Sequence, residues 1–355
     1  MPIHRILLLP FAFIYTFITD FRNYLYDNGT KKSHAFDRFI ISVGNLTAGG
    51  TGKTPFVELL IRMMKDQYQL SILSRGYKRK TKGFRIAGSD DDSTTLGDEP
   101  FQYFSKYGNK IKVAVGEKRA LAIPQIIVTE DEIEVIILDD AYQHRSVKPN
   151  LNILLNDYTR PFYTDYVIPA GLLRESRKNA KRADIIVVTK CPDALDAGEM
   201  NNVREQIHRY SKKNVPVYFS GIRYLKPQRV FGTQQFSKNI FLFSGIGNTA
   251  PLQQYVEEHF NLLNYKRFPD HHSFTSEDLK ALARTFNEIN SMDKCLLTTE
   301  KDMVRLMSMK EEAGFLLDYP VFYLPIELYF LENGDFFADY LNNVVGRELK
   351  NVGLK

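Results

Sequence analysis

Two features of this 355-residue sequence predict an α/β protein: a doubly wound, mostly parallel sheet followed by a second, smaller α/β unit. The first is a set of nearly unbroken Ile/Val/Leu runs, IEVIILDD at 133–140, LNILLND at 151–157 and ADIIVVTKCP at 183–192. They lack the polar alternation of a half-exposed strand and so belong to strands covered on both faces. The second is a β-branched strand, RFIISV at 38–43, that passes through a glycine-rich loop directly into the helical pattern PFVELLIRMMKD.

Along the chain, the N-terminus comes first. Residues 6–19, ILLLPFAFIYTFIT, carry no charge but fall short of the ~20 apolar residues a spanning helix needs. The segment after them, DFRNYLYDNGTKKS, has no small-x-small cleavage site, which argues against a signal peptide. Phe11, Phe13, Tyr15, Phe17, Phe21, Tyr24 and Tyr26 crowd this stretch, as aromatics do at a headgroup boundary. Residues 1–27 are therefore expected to form a membrane-associated helix, with a buried core helix as the competing reading. Residues 28–225 carry the main domain: the strand, loop and helix above, the strand YQLSILSRG at 68–76, and the three apolar runs. Around 221–238 the periodicity lapses into a linker or ribbon. Residues 226–355 hold the smaller unit. Its elements are the strand and turn NIFLFSGIGN, a helix at 251–260, a second at 275–290 with a capping pattern from Thr275 to Asp278, and the strand KCLLTT. PVFYLPIELYF closes the pattern, and the last helix can pack back on the first domain.

Hydrophobic residues make up 44% and charged residues 25%, the balance of a folded globular chain rather than a disordered one. No fixed-period repeat is present, which argues against a solenoid or propeller. The net charge of +5 suits anionic lipid, a phosphorylated substrate or nucleic acid without choosing among them. Its basic clusters are Arg75 to Lys80 with Lys82 and Arg85, and RESRKNAKR at 174–182, and such runs are most often solvated faces. Cys191 and Cys295 stand far apart, which points to a reducing compartment and away from a zinc site.

The chemistry concentrates in SVGNLTAGGTGKTP at 42–55. A loop of Thr47, Ala48, Gly49, Gly50, Thr51 and Gly52 lets successive N–H groups turn inward around phosphate oxygens. Lys53 can reach the β and γ phosphates, and the Thr54 hydroxyl can ligate Mg²⁺. The strict G-x-x-x-x-G-K-[ST] spelling has glycine where this chain has Thr47. A glycine turn with an incidental lysine is the competing reading. With this loop in place the fold is expected to be P-loop NTPase-like. Asp139 and Asp140 end an apolar strand, where a carboxylate can hold Mg²⁺ directly or through water, a strand-end turn being the bland alternative. His144 and Arg145 follow near the same sheet edge, each either functional or structural. Asp98 and Glu99, in Gly-Asp-Glu-Pro, put two carboxylates in a turn where one can act as base toward a hydroxyl, although acid-proline turns are common. Asp270-His271-His272 reads equally as a metal set, a helix cap or a catalytic group, and no third ligand stands at zinc spacing.

The series VGNLTAGGTGKTP, SRGYKR, LGDEP, VGEKR, LDDAYQHR, PAGLLRES, VVTKCP, FSGIGN, FPDHHSF and TTEKD resembles the tetraacyldisaccharide 4'-kinases, from the apolar N-terminus to about residue 305. The Thr47 spelling is itself like that family, and Ala141 stands where its glycine is expected. The last fifty residues carry no signature. The resemblance implies transfer of the γ-phosphate of ATP, with Mg²⁺, to the 4'-hydroxyl of an acylated glucosamine disaccharide 1-phosphate, a step in lipid A biosynthesis. It implies action at the cytoplasmic face of the bacterial inner membrane, where the chain is expected to attach as a monotopic or peripheral protein and a monomer, with no nucleic-acid partner. It also implies residue roles: Asp98 as catalytic base assisted by His271, Thr54, Asp139, Asp140 and Glu175 toward the metal, and Arg119, His144 and Arg174 toward phosphate or substrate. The alternative is a nucleotide switch or metallochaperone, because TTEKD and VTKCP look like base-recognition motifs of such GTPases.

Overall fold

The computed structural model describes residues 3–309 and 314–351. Its first element, α1 (Ile3–Asp27), runs well past the apolar stretch that announced it. Thr16 and Thr19 donate their hydroxyls to the backbone carbonyls of Ala12 and Thr16, which removes the polar cost of threonine in an apolar helix. Phe13 is 75% and Phe17 66% exposed, with Ile6, Leu7, Phe11, Ile14 and Ile18 also bare, so the core-helix reading does not hold. By length and composition Arg5–Asp27 is able to cross a membrane. The C-terminal end is fastened to the body: Asn23 Nδ2 donates to Glu175 Oε2 (2.7 Å), Arg22 Nη2 to Gln143 O, and Arg145 Nη2 to Asp27 Oδ1.

The main unit follows as β1 (Phe39–Asn45), α2 (Lys53–Met64), β2 (Leu70–Ser74), β3 (Arg85–Ile86), α3 (Ser93–Leu96), α4 (Asp98–Tyr107) and β4 (Lys112–Val115). It continues through α5 (Arg119–Thr129), β5 (Val135–Leu138), β6 (Leu151–Asp157), β7 (Ile185–Thr189), α6 (Ala197–His208) and β8 (Val217–Tyr224). The smaller unit holds β9 (Gln228–Phe231), β10 (Asn239–Ser244), α7 (Ala250–His259), β11 (Asn261–Arg267), α8 (Ser276–Glu288), β12 (Cys295–Thr299), α9 (Glu300–Met307) and β13 (Val321–Leu324). The chain ends in β14 (Ile326–Phe330) and α10 (Gly334–Asn351).

Nine strands form the large sheet in the order β14-β8-β7-β6-β1-β5-β2-β4-β3. All neighbours are parallel except the two edges, β3 and β14, which are antiparallel. β1 lies between β5 and β6, where the winding changes direction, so the crevice beyond its C-terminal end is the place this architecture reserves for a ligand. The apolar strands bury both faces as their composition requires. Phe39, Ile41 and Val43 pack with Phe56 and Leu60 of α2 and with Phe337, Leu341 and Val345 of α10, while Ile40 and Ile136 face Ala122, Ile123 and Ile126 of α5. The smaller sheet runs β11-β10-β12-β13-β9, parallel except for β9.

PVFYLPIELYF, expected as one piece of the smaller unit, divides at Pro325: β13 completes the small sheet and β14 joins the edge of the large one. Proline has no N–H to continue a ladder and holds the preceding residue extended, so the strand changes partners there. The lapse at 221–238 resolves as β8 and β9 with a short connection between them.

Candidate active site

The loop at 45–54 is held open by its own chemistry. A Cβ on Gly44 would lie 2.7 Å from Cβ of Tyr142, so only glycine lets β1 pass this close to the 141–144 turn. Gly49 (φ +108°) and Gly52 (φ +77°) take left-handed turns that a side chain would strain. Gly52 caps α2, which places the N–H groups of Lys53 and Thr54 in its unpaired first turn, at the positive end of the helix dipole. The first half of the loop is pinned: Ala48 N donates to Leu172 O (2.7 Å), Thr47 forms a β-bridge with Leu173, and Asn45 Nδ2 donates to Thr47 O. Thr47 therefore sits in extended backbone, where a β-branched residue is at ease, which explains how the chain dispenses with glycine there. Lys190 donates to Gly50 O and to Asp157 Oδ2, and Thr189 Oγ1 donates to Thr51 O, closing the loop from the other side. Lys53 Nζ lies 3.4 Å from Asn45 Oδ1 and 3.6 Å from Asp140 Oδ1.

The paired carboxylates after β5 differ in environment. Asp139 is buried and accepts from Ser74 Oγ (3.3 Å); burial, with Asp140 and Glu99 nearby, pushes its pKa up to about 6. Asp140 sits in the left-handed region (φ +49°) and accepts from Arg174 Nη1 at 3.0 and 3.1 Å. Burial opposes its charge, but Lys53 and Arg174 outweigh that and hold its carboxyl below the usual range. His144 is pushed down to about 4 by burial and by the charges of Arg119 and Arg75, so its imidazole is neutral near pH 7.

Two residues expected as ligand contacts are engaged elsewhere. Arg119 is 0% exposed, donating Nη1 to Gly116 O (2.6 Å) and Nη2 to Asp139 O (3.1 Å). It braces the loop before α5 against the end of β5 and reaches the site as a fixed charge, lowered by burial to about 10. Glu175 accepts from Asn23, Gln143 and Arg182, so a cation there would compete with Arg182 at 2.7 Å.

Asp98 opens α4, which corrects the expected turn: Pro100 fits a first helical turn because that turn has no partner for its N–H, and the two acids complement the dipole. Glu99 accepts from Lys301 Nζ (3.1 Å). Across the cleft, His271 (φ +56°) brings Nδ1 to 3.6 Å from Asp98 Oδ2. His272 turns away, with Nε2 3.0 Å from Asp278 Oδ2 and its ring stacked on Phe268, and serves the entry to α8. Arg305, on α9, was not foreseen. It donates to Asp98 Oδ2 from Nε (2.9 Å) and Nη2 (2.8 Å). Its only sequence signal is the three-residue spacing from Asp302, an ordinary intrahelical pair.

The family described as tetraacyldisaccharide-1-P 4'-kinase matches residues 4–345 of this chain. A tetraacyldisaccharide 4'-kinase of Flavobacterium psychrophilum is 39% identical over 352 residues, covering 97% of this chain and 98% of the relative. One of Bacteroides fragilis is 37% identical over 360 residues, covering 98% and 95%. Among solved structures, the "apo" form of LpxK from Aquifex aeolicus in complex with ATP superposes with a TM-score of 0.75 at 29% identity, covering 97% of this chain and 100% of that one.

Proposed function

The chain belongs to the tetraacyldisaccharide 4'-kinase family, and from that premise we propose how its own residues carry the ATP-dependent phosphorylation of a lipid disaccharide at its 4'-hydroxyl. The N–H groups of the 49–54 loop and Lys53 hold the β and γ phosphates of ATP. The Thr54 hydroxyl with Asp140, and Asp139 behind it, offers hard oxygen donors, and two adjacent carboxylates that resist joint ionisation suit a divalent cation such as Mg²⁺. A Mg²⁺ held there with ATP would neutralise phosphate charge. Arg174 and Arg119 add positive charge on the same side, and neutral His144 lines it. Asp98 accepts the proton of the 4'-hydroxyl as its oxygen bonds the γ-phosphorus and the bond to the β–γ bridging oxygen breaks, leaving ADP. His271 stands beside that carboxylate, with Nδ1 3.6 Å from Oδ2.

We assign nucleotide binding to residues 28–225 and acceptor binding to the unit from 226, whose last segment, 326–351, returns to the first. The apolar face of α1 inserts into one leaflet at the cytoplasmic face of the inner membrane, so that a monomer meets a substrate whose acyl chains stay in the bilayer. The observation that supports this reading best is the meeting of Asp98 and His271, 173 residues apart in sequence, at 3.6 Å.

The test uses γ-labelled ATP and the disaccharide 1-phosphate in detergent, with label expected in the lipid. Asp98→Ala and His271→Ala should each slow transfer, by about 100-fold to 10,000-fold for the base. The double variant should be scarcely slower than the worse single one. Multiplying losses, or a larger defect from His272→Ala than from His271→Ala in folded protein, would show the wrong pair has been chosen.

A further inference from the structure

Arg305 is 7% exposed, and its guanidinium carries five N–H bonds and no acceptor. All five meet acceptors. Two go to Asp98 Oδ2, Nη1 donates to Asp302 Oδ1 (2.8 Å) and Gly245 O (3.0 Å), and Nη2 also approaches His271 Nδ1 at 3.3 Å. These acceptors come from four segments: the start of α4 in the large unit, α9 itself, the loop after β10, and the loop before α8. Gly245 is gripped from its other side as well, its N–H donating to Asp302 Oδ2 (3.0 Å) and its carbonyl accepting from His271 N (3.1 Å). One buried cation therefore sets both the carboxylate and the loop that carries the imidazole.

The pattern is more selective than an interface latch requires. Arg305 occupies only Oδ2 of Asp98, leaving Oδ1 without a protein donor among the described residues. A guanidinium can only donate, so the Nδ1 that faces it at 3.3 Å is left to accept, while Nε2 points to the side of Asp270 Oδ1 at 4.0 Å. We propose that Arg305 is a positioning residue for phosphoryl transfer: it takes one oxygen of Asp98 so that the other meets the sugar hydroxyl, and it fixes the tautomer of His271 beside it. Arg305 itself exchanges no proton; the hydroxyl proton goes to Asp98 Oδ1 as the new P–O bond forms. The inference rests on the reading of Asp98 as the base.

The test is kinetics of the full chain in detergent with ATP and the disaccharide 1-phosphate, using Arg305→Lys, Arg305→Gln, Asp98→Ala and the Asp98→Ala/Arg305→Gln double variant. Lysine keeps the charge but offers its donors from a single point, so it cannot hold both partners. Both Arg305 variants should lose about 100-fold in kcat, the scale of a misplaced reacting group. KM for ATP should stay within about twofold, and the double variant should be no slower than Asp98→Ala alone. Imidazole ¹⁵N spectra, assigned by His271→Gln, should show Nδ1 of His271 unprotonated in the parent and a tautomer mixture in Arg305→Gln. The inference is overturned by kcat within about threefold of the parent in folded Arg305→Lys or Arg305→Gln, by losses that multiply in the double variant, or by a proton on Nδ1 in the parent. If Arg305→Gln does not fold, Arg305→Lys and the parent spectrum decide. An active Asp98→Ala sinks the base assignment itself, whereas an inactive Asp98→Ala beside a parent-like Arg305→Lys sinks only the role given to Arg305.

Discussion

His144 shows how a single buried group links the site to stability. Its folded pKa is about 4, against an unfolded value near 6.5, because burial and the charges of Arg119 and Arg75 disfavour the imidazolium. Between those values the unfolded chain binds the extra proton, so the stability His144 contributes is present above about pH 6.5 and is lost as pH falls toward 4. Thermal melts across that window should show a shallower acid decline for His144→Gln than for the parent, and parallel curves would refute the burial argument. At this scale the glycine-rich loop was legible because its signal is local: glycines, Lys53 and Thr54 in one short run after a strand. Asp98 and His271 were named through motif order, and the structure brings them together. Arg305 was not legible, because what distinguishes it is five N–H contacts to four acceptors on four segments, and spacing along one helix records only Asp302.

Among the elements, α1 carries the clearest functional demand. It is anchored at Asn23 and Asp27 yet bare along Phe13 and Phe17, so its exposed face serves something other than the core. Phe13→Asp with Phe17→Asp should leave the melting temperature unchanged while lowering sedimentation with anionic vesicles about tenfold or more, and turnover of lipid substrate with it. Unchanged vesicle binding would remove the membrane role. The long apolar strands were readable because burial on both faces leaves an unbroken run of β-branched residues. β3 was not, being only two residues long, nor was β4, whose short apolar run starts on an exposed lysine, and α4 was hidden behind an acid-proline start that resembles a turn. The division of β13 from β14 was marked only by Pro325.

In the whole molecule the two units are joined by more than the contacts of Asp98 with His271 and Arg305. Lys106 of α4 donates to Glu58 Oε2 (2.5 Å) and Glu300 Oε1 (2.6 Å), both carboxylates almost wholly buried. Leu96 and Phe101 pack with Met303 and Val304 beside them. Burial, with Glu58 opposite, raises Glu300 to about 7 even with Lys106 in place. Lys106→Met leaves the two carboxylates facing each other with no cation between them, Arg62 Nη1 lying only at 4.0 Å from Glu58 Oε2, and should cost about 3 kcal/mol or more in urea unfolding at pH 8. The deficit should shrink at pH 5, where the folded state keeps a proton on Glu300 that the unfolded chain largely releases. A loss under about 1 kcal/mol, or one indifferent to pH, would mean the triad behaves as a surface pair. The covalent connections between the units tell a related story. The chain leaves the large sheet after Tyr224 and returns before Ile326, and the two passages run side by side, with Leu225 N donating to Pro325 O between the β8–β14 and β9–β13 pairings. A single tether would let the smaller unit swivel freely, but a paired ribbon bends across its face and resists torsion. The smaller unit is thereby held against twisting, which keeps His271 and Arg305 in register with Asp98.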